Sequence, residues 1–350
     1  MHKFILMDKQ NRTELGELGE FGLIERLSKA VTTRQKSTLF GIGDDAAVID
    51  KDGKSVTLIS TDMLVEGIHF DMTYVPLKHL GYKLVAVNVS DIAAMNGIPT
   101  QITVSIALSN RFSVEAIEEL YAGIHAACKN FNVDLVGGDT TSSTSGLIIS
   151  VSVLGKALKT DVAYRSGAKV GDVICVTGDL GGAYMGLQLL EREKQVFLDN
   201  PDAEPQFEDK DYLIQRQLKP EARMDFVYDL KEKGIVPTSM IDVSDGLASE
   251  LMHISRASNV GIQLFDENLP IDEMTYNTAL DFNIDPDTCA LNGGEDYELL
   301  FTVPESDFEK LKNHSDLAAI GQVTKKEDGV NLVLKSGTQV PLKAQGWVHF

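Results

Sequence analysis

Six short stretches that combine acidic residues with glycine or hydroxyl side chains recur along this chain. They are GIGDDAA (41–47), STDML (60–64), VSDIAAM (89–95), GGDTT (137–141), DVSDG (242–246) and GGEDYEL (293–299). Any one alone reads as an ordinary turn, because Asp-Gly and Gly-Asp pairs are common there. Six in one chain, most of them after a predicted strand, point to a layered fold. In α/β sheets, ligand-binding loops gather at the C-terminal ends of strands. Glycine in such loops exposes backbone N–H groups and lets an anion approach. Aspartates beside them can hold hard cations through oxygen. Together they can bind a polyphosphate with its Mg²⁺.

Asp91 carries a sharper constraint. The spacing predicts a helix over about 79–96, stopped by Gly97 with Pro99 just beyond. On that helix Leu84, Val87, Asp91, Ala94 and Met95 share one apolar face. The face is expected to be buried, and a bare buried carboxylate is costly. Asp91 therefore needs a partner: an arginine, a backbone donor or a metal ion. The metal is the reading adopted.

The remaining pattern mixes helices and strands in both halves, which predicts an α/β (α+β) protein with two mixed-sheet domains. Helices are expected over about 17–30, 113–130, 183 onward and 247–257. Strands are expected over 55–60, 101–108, 133–136, 147–154, 172–177, 240–243, 261–265, 299–303, 318–323 and 331–334. A polar, turn-rich segment over 157–170 sets the domain boundary near 160, giving halves 1–160 and 161–350, with 1–13 as a leader. Residues 197–212 read as an acidic surface loop. NVSDIAAM (88–95) echoes DVSDGLAS (242–249), but four shared letters do not establish a duplication.

Composition narrows the function classes. The formal charge of −20, from 52 acidic and 32 basic residues, opposes nucleic acid and anionic membranes as partners. No apolar stretch approaches the roughly 18 residues needed to span a bilayer, and no signal-peptide pattern opens the chain. Three scattered cysteines, with no C-x-x-C pair, fit a reducing cytoplasm better than a disulfide framework. Walker A, protein-kinase Gly-loop, H-E-x-x-H and G-x-S-x-G motifs are all missing. GDLGGAYMG (178–186) is rich in glycine but lacks the Lys-Ser/Thr of a P-loop, so it reads as a tight strand-to-helix turn.

GIGDD, STD-x-L-V-x-G-x-H-F, AVN-x-SD-x-AAM, GGDTT, RSGA-x-x-GD, D-x-SDGL, GGEDYEL and the terminal GW-x-HF, taken in order, resemble the thiamine-monophosphate kinase family. That family belongs to the ATP-binding superfamily of aminoimidazole ribonucleotide synthetase and selenophosphate synthetase. The resemblance runs from about Gly19 to Phe350. It implies an enzyme that transfers a phosphate from ATP to thiamine monophosphate, the last step of thiamine diphosphate biosynthesis. It also implies several Mg²⁺ ions and a homodimer built through the N-terminal domains.

Carried over by motif, Asp45, Ser60, Thr61, Asp62, Asp91, Asp139, Asp242 and Asp245 would contact metal. Tyr121, Gly138, Asp139, Arg165 and Ser244 would contact ATP, and His69, Glu295 and Trp347 would contact thiamine phosphate. The acceptor is a phosphate monoester with a second pKa near 6, already mostly dianionic at neutral pH. No general base is therefore assigned, in keeping with the lack of an obvious catalytic His or Cys. Positioning and charge neutralisation for in-line transfer are the expected means. The thiazolium ring is a cation, for which Trp347 and Glu295 are suitable partners.

Two alternatives stay open at this point. One is a sister enzyme using ATP on another acceptor; selenophosphate synthetase is disfavoured because no cysteine precedes Cys128. The other is a non-catalytic metal-binding module, which leaves Arg165 and GWVHF unexplained.

Overall fold

Apolar strands, alternating in burial in the first half and buried at nearly every position in several strands of the second, build two mixed sheets, and helices cover them. The computed structural model describes residues 13–207 and 209–345. Most of the expected leader, and Trp347, lie outside the described residues. The first half runs α1 (Leu15–Ser28), β1 (Thr38–Phe40), β2 (Ala47–Asp50), β3 (Ser55–Val65), α2 (Leu77–Ala94), β4 (Ile98–Leu108), α3 (Val114–Phe131), β5 (Asp134–Ser142) and β6 (Ile148–Leu158). The second half continues with β7 (Val173–Thr177), α4 (Gly182–Asp199), α5 (Asp211–Leu218), α6 (Met224–Glu232), β8 (Ser239–Asp242), α7 (Leu247–Ser258) and β9 (Gly261–Phe265). It ends with α8 (Glu273–Asp281), α9 (Pro286–Asn292), β10 (Leu299–Val303), α10 (Glu305–Leu311), β11 (Leu317–Thr324), β12 (Val330–Val333) and β13 (Gln339–Pro341).

The first sheet has the order β1-β2-β3-β6-β4-β5, and the second β13-β12-β9-β11-β7-β10-β8. Each is mixed: β4–β5 and β12–β9 are parallel, and the other neighbours are antiparallel. β3 and β6 pair from Ser55↔Leu158 to Val65↔Ile148, which makes a long, rigid centre for the first sheet.

Two strands run further than their composition suggested. β3 continues through STDML to Val65, and β5 continues through GGDTT to Ser142. These motifs lie in ladders, not in loops. Asp62 pairs with Val151 on β6, and Asp139 with Ser105 on β4. Backbone pairing with β6 and β4 decided the matter, since tertiary context overrides the low strand preference of Gly and Asp.

α2 lies between the halves. It packs on β3, β4 and β6, beside α3, and is covered from the other half by β8, α5 and α6. Leu80 to Ala94 are all buried apart from Asp91, which is partly exposed. The single apolar face expected for this helix is therefore replaced by burial all round, as for a helix with protein on every side. Ser113 caps α3 as its sequence implies, its hydroxyl accepting the Ala116 N–H at 3.2 Å. α1 forms where periodicity places it, yet buries no side chain. No helix among the described residues is long and apolar enough to cross a membrane.

Candidate active site

Three aspartates from three elements meet where the halves join. Asp45 comes from the bend before β2, Asp91 from the last turn of α2, and Asp242 from the end of β8. One carboxylate oxygen from each lies within 4.8 Å of the others. Asp62, on β3, adds its charge to the group. Burial, then the neighbouring carboxylates, raises the pKa of Asp91 well above the carboxylate range and also raises Asp62 and Asp242.

Serine hydroxyls aim two of these carboxylates. Ser60 on β3 donates to Asp91 Oδ2 at 2.5 Å, and Ser90 on α2 donates to Asp242 Oδ2 at 2.5 Å. Asp62 is set by its backbone, whose N–H donates to Asn88 Oδ1 at 3.2 Å. Asp45 Oδ2 is buried and accepts no hydrogen bond. Such an oxygen needs a partner that the side chains around it do not supply. The donors are all oxygens, with no Cys or His among them, which suits a hard divalent cation such as Mg²⁺.

The positive charge nearest this group is Arg165. Its Nε donates to Asp45 Oδ1 at 3.2 Å, and its Nη2 makes a short contact to the same oxygen. Its backbone N–H donates to Asp44 Oδ2 at 3.1 Å. Burial, then the Asp45 charge, pushes Asp44 up to about 7. Asp44 thus fixes the turn that delivers Arg165, a role the doubled Asp of GIGDD signals only in hindsight.

Two loops of the second half are sewn together beside the cluster. Glu295 N–H donates to Ser244 O at 2.7 Å, and Tyr297 N–H to Val243 O at 2.9 Å. Glu295 (φ 58°) and Tyr297 (φ 53°) both hold left-handed backbone, beside Gly294 at 71°. That conformation is unusual for side chains larger than glycine and persists only where surroundings enforce it. Asp245 N–H donates to Glu250 Oε1 at 3.1 Å. Glu250 is buried, and burial followed by the Asp245 charge raises its pKa. Lys83 pairs with Glu295 Oε1 at 2.8 Å.

The other expected residues are placed differently. Thr61 turns to the opposite face of β3, where its hydroxyl donates to Val151 O at 3.0 Å. Gly138 and Asp139 lie on β5 at the edge of the first sheet. A Cβ on Gly138 would fall 1.8 Å from Val104 O, so close strand approach alone demands glycine there. Tyr121 lines an apolar groove of about 330 Å³ with Leu108, Phe112 and Ile117. Among the described residues, no hydrogen bond or ion pair links Asp139 or Tyr121 to the three aspartates. His69 accepts the Val65 N–H at its Nδ1, 3.0 Å away, which leaves the proton of the neutral ring on Nε2. Sequence reasoning missed Asp44, Lys83, Ser90 and Glu250. A lysine inside an apolar helix and a serine beside Asp91 were the available signals.

Residues 43–157 match the family model described as AIR synthase related protein, N-terminal domain, and residues 169–333 match its C-terminal domain counterpart. The thiamine-monophosphate kinase of Bacillus subtilis (strain 168) is 34% identical over 340 residues, covering 95% of this chain and 100% of the relative. That of Aquifex aeolicus (strain VF5) is 36% identical, covering 96% and 99%. A solved structure described as AaThiL complexed with AMPPCP and TMP superposes with a TM-score of 0.81 at 34% identity, covering 97% of this chain and 100% of that one. Hydrogenase maturation protein HypE in complex with ATP, at 20% identity and a TM-score of 0.67, shares the fold.

Proposed function

Because this chain belongs to the AIR synthase related family, and within it to the thiamine-monophosphate kinases, we propose that it uses ATP to phosphorylate thiamine monophosphate at the junction of its two halves. One observation carries this reading at the level of residues: Asp45, Asp91 and Asp242 converge with a buried, unpartnered oxygen among them. A relative 34% identical to this chain holds AMPPCP and TMP, which supports the same pair of substrates here.

In this proposal Asp45, Asp62, Asp91 and Asp242 hold Mg²⁺, with Asp245 and Asp139 as further ligands. Bound Mg²⁺ supplies charge neutralisation and a template for the phosphate oxygens. Ser60 and Ser90 keep the Asp91 and Asp242 carboxylates aimed inward through hydrogen bonds present before any ligand arrives. Thr61, whose hydroxyl donates to the Val151 carbonyl on the other face of β3, would contribute to the metal site through its backbone. Arg165 offers fixed positive charge to the nucleotide phosphates, with Gly138, Ser244 and Tyr121 as further nucleotide contacts. Glu295 faces the thiazolium cation, with His69 and Trp347 completing that subsite. The acceptor phosphate arrives mostly ionised, so positioning replaces proton abstraction.

The boundary near 160 then separates a half that carries most of the acidic ligands from one that completes the site. A second copy of the chain is proposed to pair through the first sheet. Its edge strand β5 is exposed at nearly every position, and Val136 and Met63 are 60% and 56% exposed. The three cysteines are buried and unpaired, which supports action in the reducing cytoplasm.

The test is direct. Protein, ATP, Mg²⁺ and thiamine monophosphate are mixed, and thiamine diphosphate is sought by mass. Its formation, with ADP in equal amount, is expected. ATP consumption with a different acceptor, and none with thiamine monophosphate, would overturn the substrate assignment.

A further inference from the structure

Phosphoryl transfer as described leaves one buried cation of the cleft without a task. Lys83, on α2, is 4% exposed. Its ammonium donates to the Gln217 carbonyl at 3.1 Å and pairs with Glu295 Oε1 at 2.8 Å. Gln217, on α5, donates from Nε2 to Glu295 Oε2 at 2.6 Å. Both oxygens of Glu295 are therefore held from outside its own loop, one from each half of the molecule.

Geometry gives this clamp a reason. The loop that carries Glu295 is in left-handed backbone at residues 294, 295 and 297, so its course depends on its neighbours. Lys83 and Ser90 are seven residues apart and lie on one face of α2. Ser90 aims Asp242, and Lys83 aims Glu295. One helix face thus sets both a carboxylate of the acidic cluster and the carboxylate proposed to meet the substrate cation. Buried donors need acceptors, and the Lys83 ammonium has two, the Gln217 carbonyl and the Glu295 carboxylate.

We propose that Lys83, together with Gln217, is a positioning residue for the thiamine-phosphate subsite, fixing the Glu295 carboxylate for the cationic ring. This rests on the assignment of Glu295 to that subsite. A tether that merely joined the halves would disturb both substrates alike. A positioning role acts on one.

Steady-state kinetics on the full chain separates these cases. Lys83→Met and Gln217→Leu are each expected to raise the KM for thiamine monophosphate about tenfold, with the KM for ATP within about twofold of its original value. Lys83→Arg, which keeps the charge, should recover part of the loss. The double variant Lys83→Met/Glu295→Gln should bind thiamine monophosphate no worse than Glu295→Gln alone, since both act through one carboxylate. Equal rises in both KM values, or additive effects in the double variant, would overturn the role of Lys83. If Glu295→Gln itself leaves the thiamine monophosphate KM unchanged, the Glu295 assignment fails and this role fails with it. If Glu295→Gln raises that KM while Lys83→Met and Gln217→Leu do not, the positioning role alone is wrong. Should Lys83→Met not fold, Gln217→Leu and Lys83→Arg decide the question, because neither removes the buried charge.

Discussion

Glu298 in the second half and the Asp45, Asp91 and Asp242 group in the cleft are all acids largely enclosed by protein, yet their surroundings differ. Glu298 Oε2 accepts from Thr177 Oγ1 and from Arg223 Nη1, both at 2.6 Å, and Oε1 accepts from Arg216 Nη1 at 2.8 Å. Asp296 next door accepts the Gly181 N–H at 2.8 Å and the Ala183 N–H at 3.3 Å, at the start of α4. In the cleft, one arginine serves Asp45, and Asp91 and Asp242 each receive one serine hydroxyl. Where arginines and hydroxyls engage both oxygens, the acid serves the fold. Where acids face each other and one oxygen is orphaned, negative charge is left over for a ligand.

The largest expected effect tests the structural side of this contrast. Glu298→Ala leaves Arg216 and Arg223 without their shared carboxylate, and breaking a buried pair costs about 3–5 kcal/mol. Urea unfolding should show that loss. A change under about 1 kcal/mol would mean that the network is not the anchor described here.

Asp91→Asn tests the other side. Activity should fall roughly 10²–10³-fold, the scale of losing one preorganised electrostatic contact. The fold should persist, with metal-free stability unchanged or higher, because one of several mutually repelling carboxylates is removed. Full activity with normal Mg²⁺ dependence would sink the metal role of Asp91.

A pH effect follows from the same crowding. Asp62 is raised to about 6, by burial and the Asp45 charge, and Asp242 to about 7, by burial and the same neighbour. Unfolded aspartates titrate near 4. The folded state then binds more protons than the unfolded state between about pH 4 and 7, so its stability falls as pH rises through that range. Thermal unfolding in chelator should show a lower midpoint at pH 8 than at pH 5, and Mg²⁺ should restore it at pH 8. Asp91→Asn should flatten the slope. An unchanged slope in that variant would show that the pH dependence originates elsewhere.

The smallest effect concerns aim. Ser90→Ala removes the hydroxyl on Asp242, worth about 1 kcal/mol, so activity should drop only about fivefold. A loss as large as that of Asp91→Asn would make Ser90 a ligand in its own right.

Much of this architecture was legible in the chain. The helix expected over 79–96 forms as Leu77–Ala94, with the carboxylate of Asp91 among buried neighbours. Strand limits were read less well at STDML and GGDTT, because Ser, Thr, Asp and Gly look like a turn until a partner strand is known. The lysine inside α2 was visible, but its carboxylate partner was not.

Local periodicity determined what the sequence could settle alone: the elements, the acidic motifs between and within them, and the need for Asp91 to find a partner. Tertiary structure decided which partners they found. Ser90 reaches Asp242 across 152 positions, and Lys83 reaches Gln217 across 134. Hydrogen bonds act over about 3 Å and carry no trace along the chain of what they join. Only the packing of α2 between the two halves brings those atoms within that range.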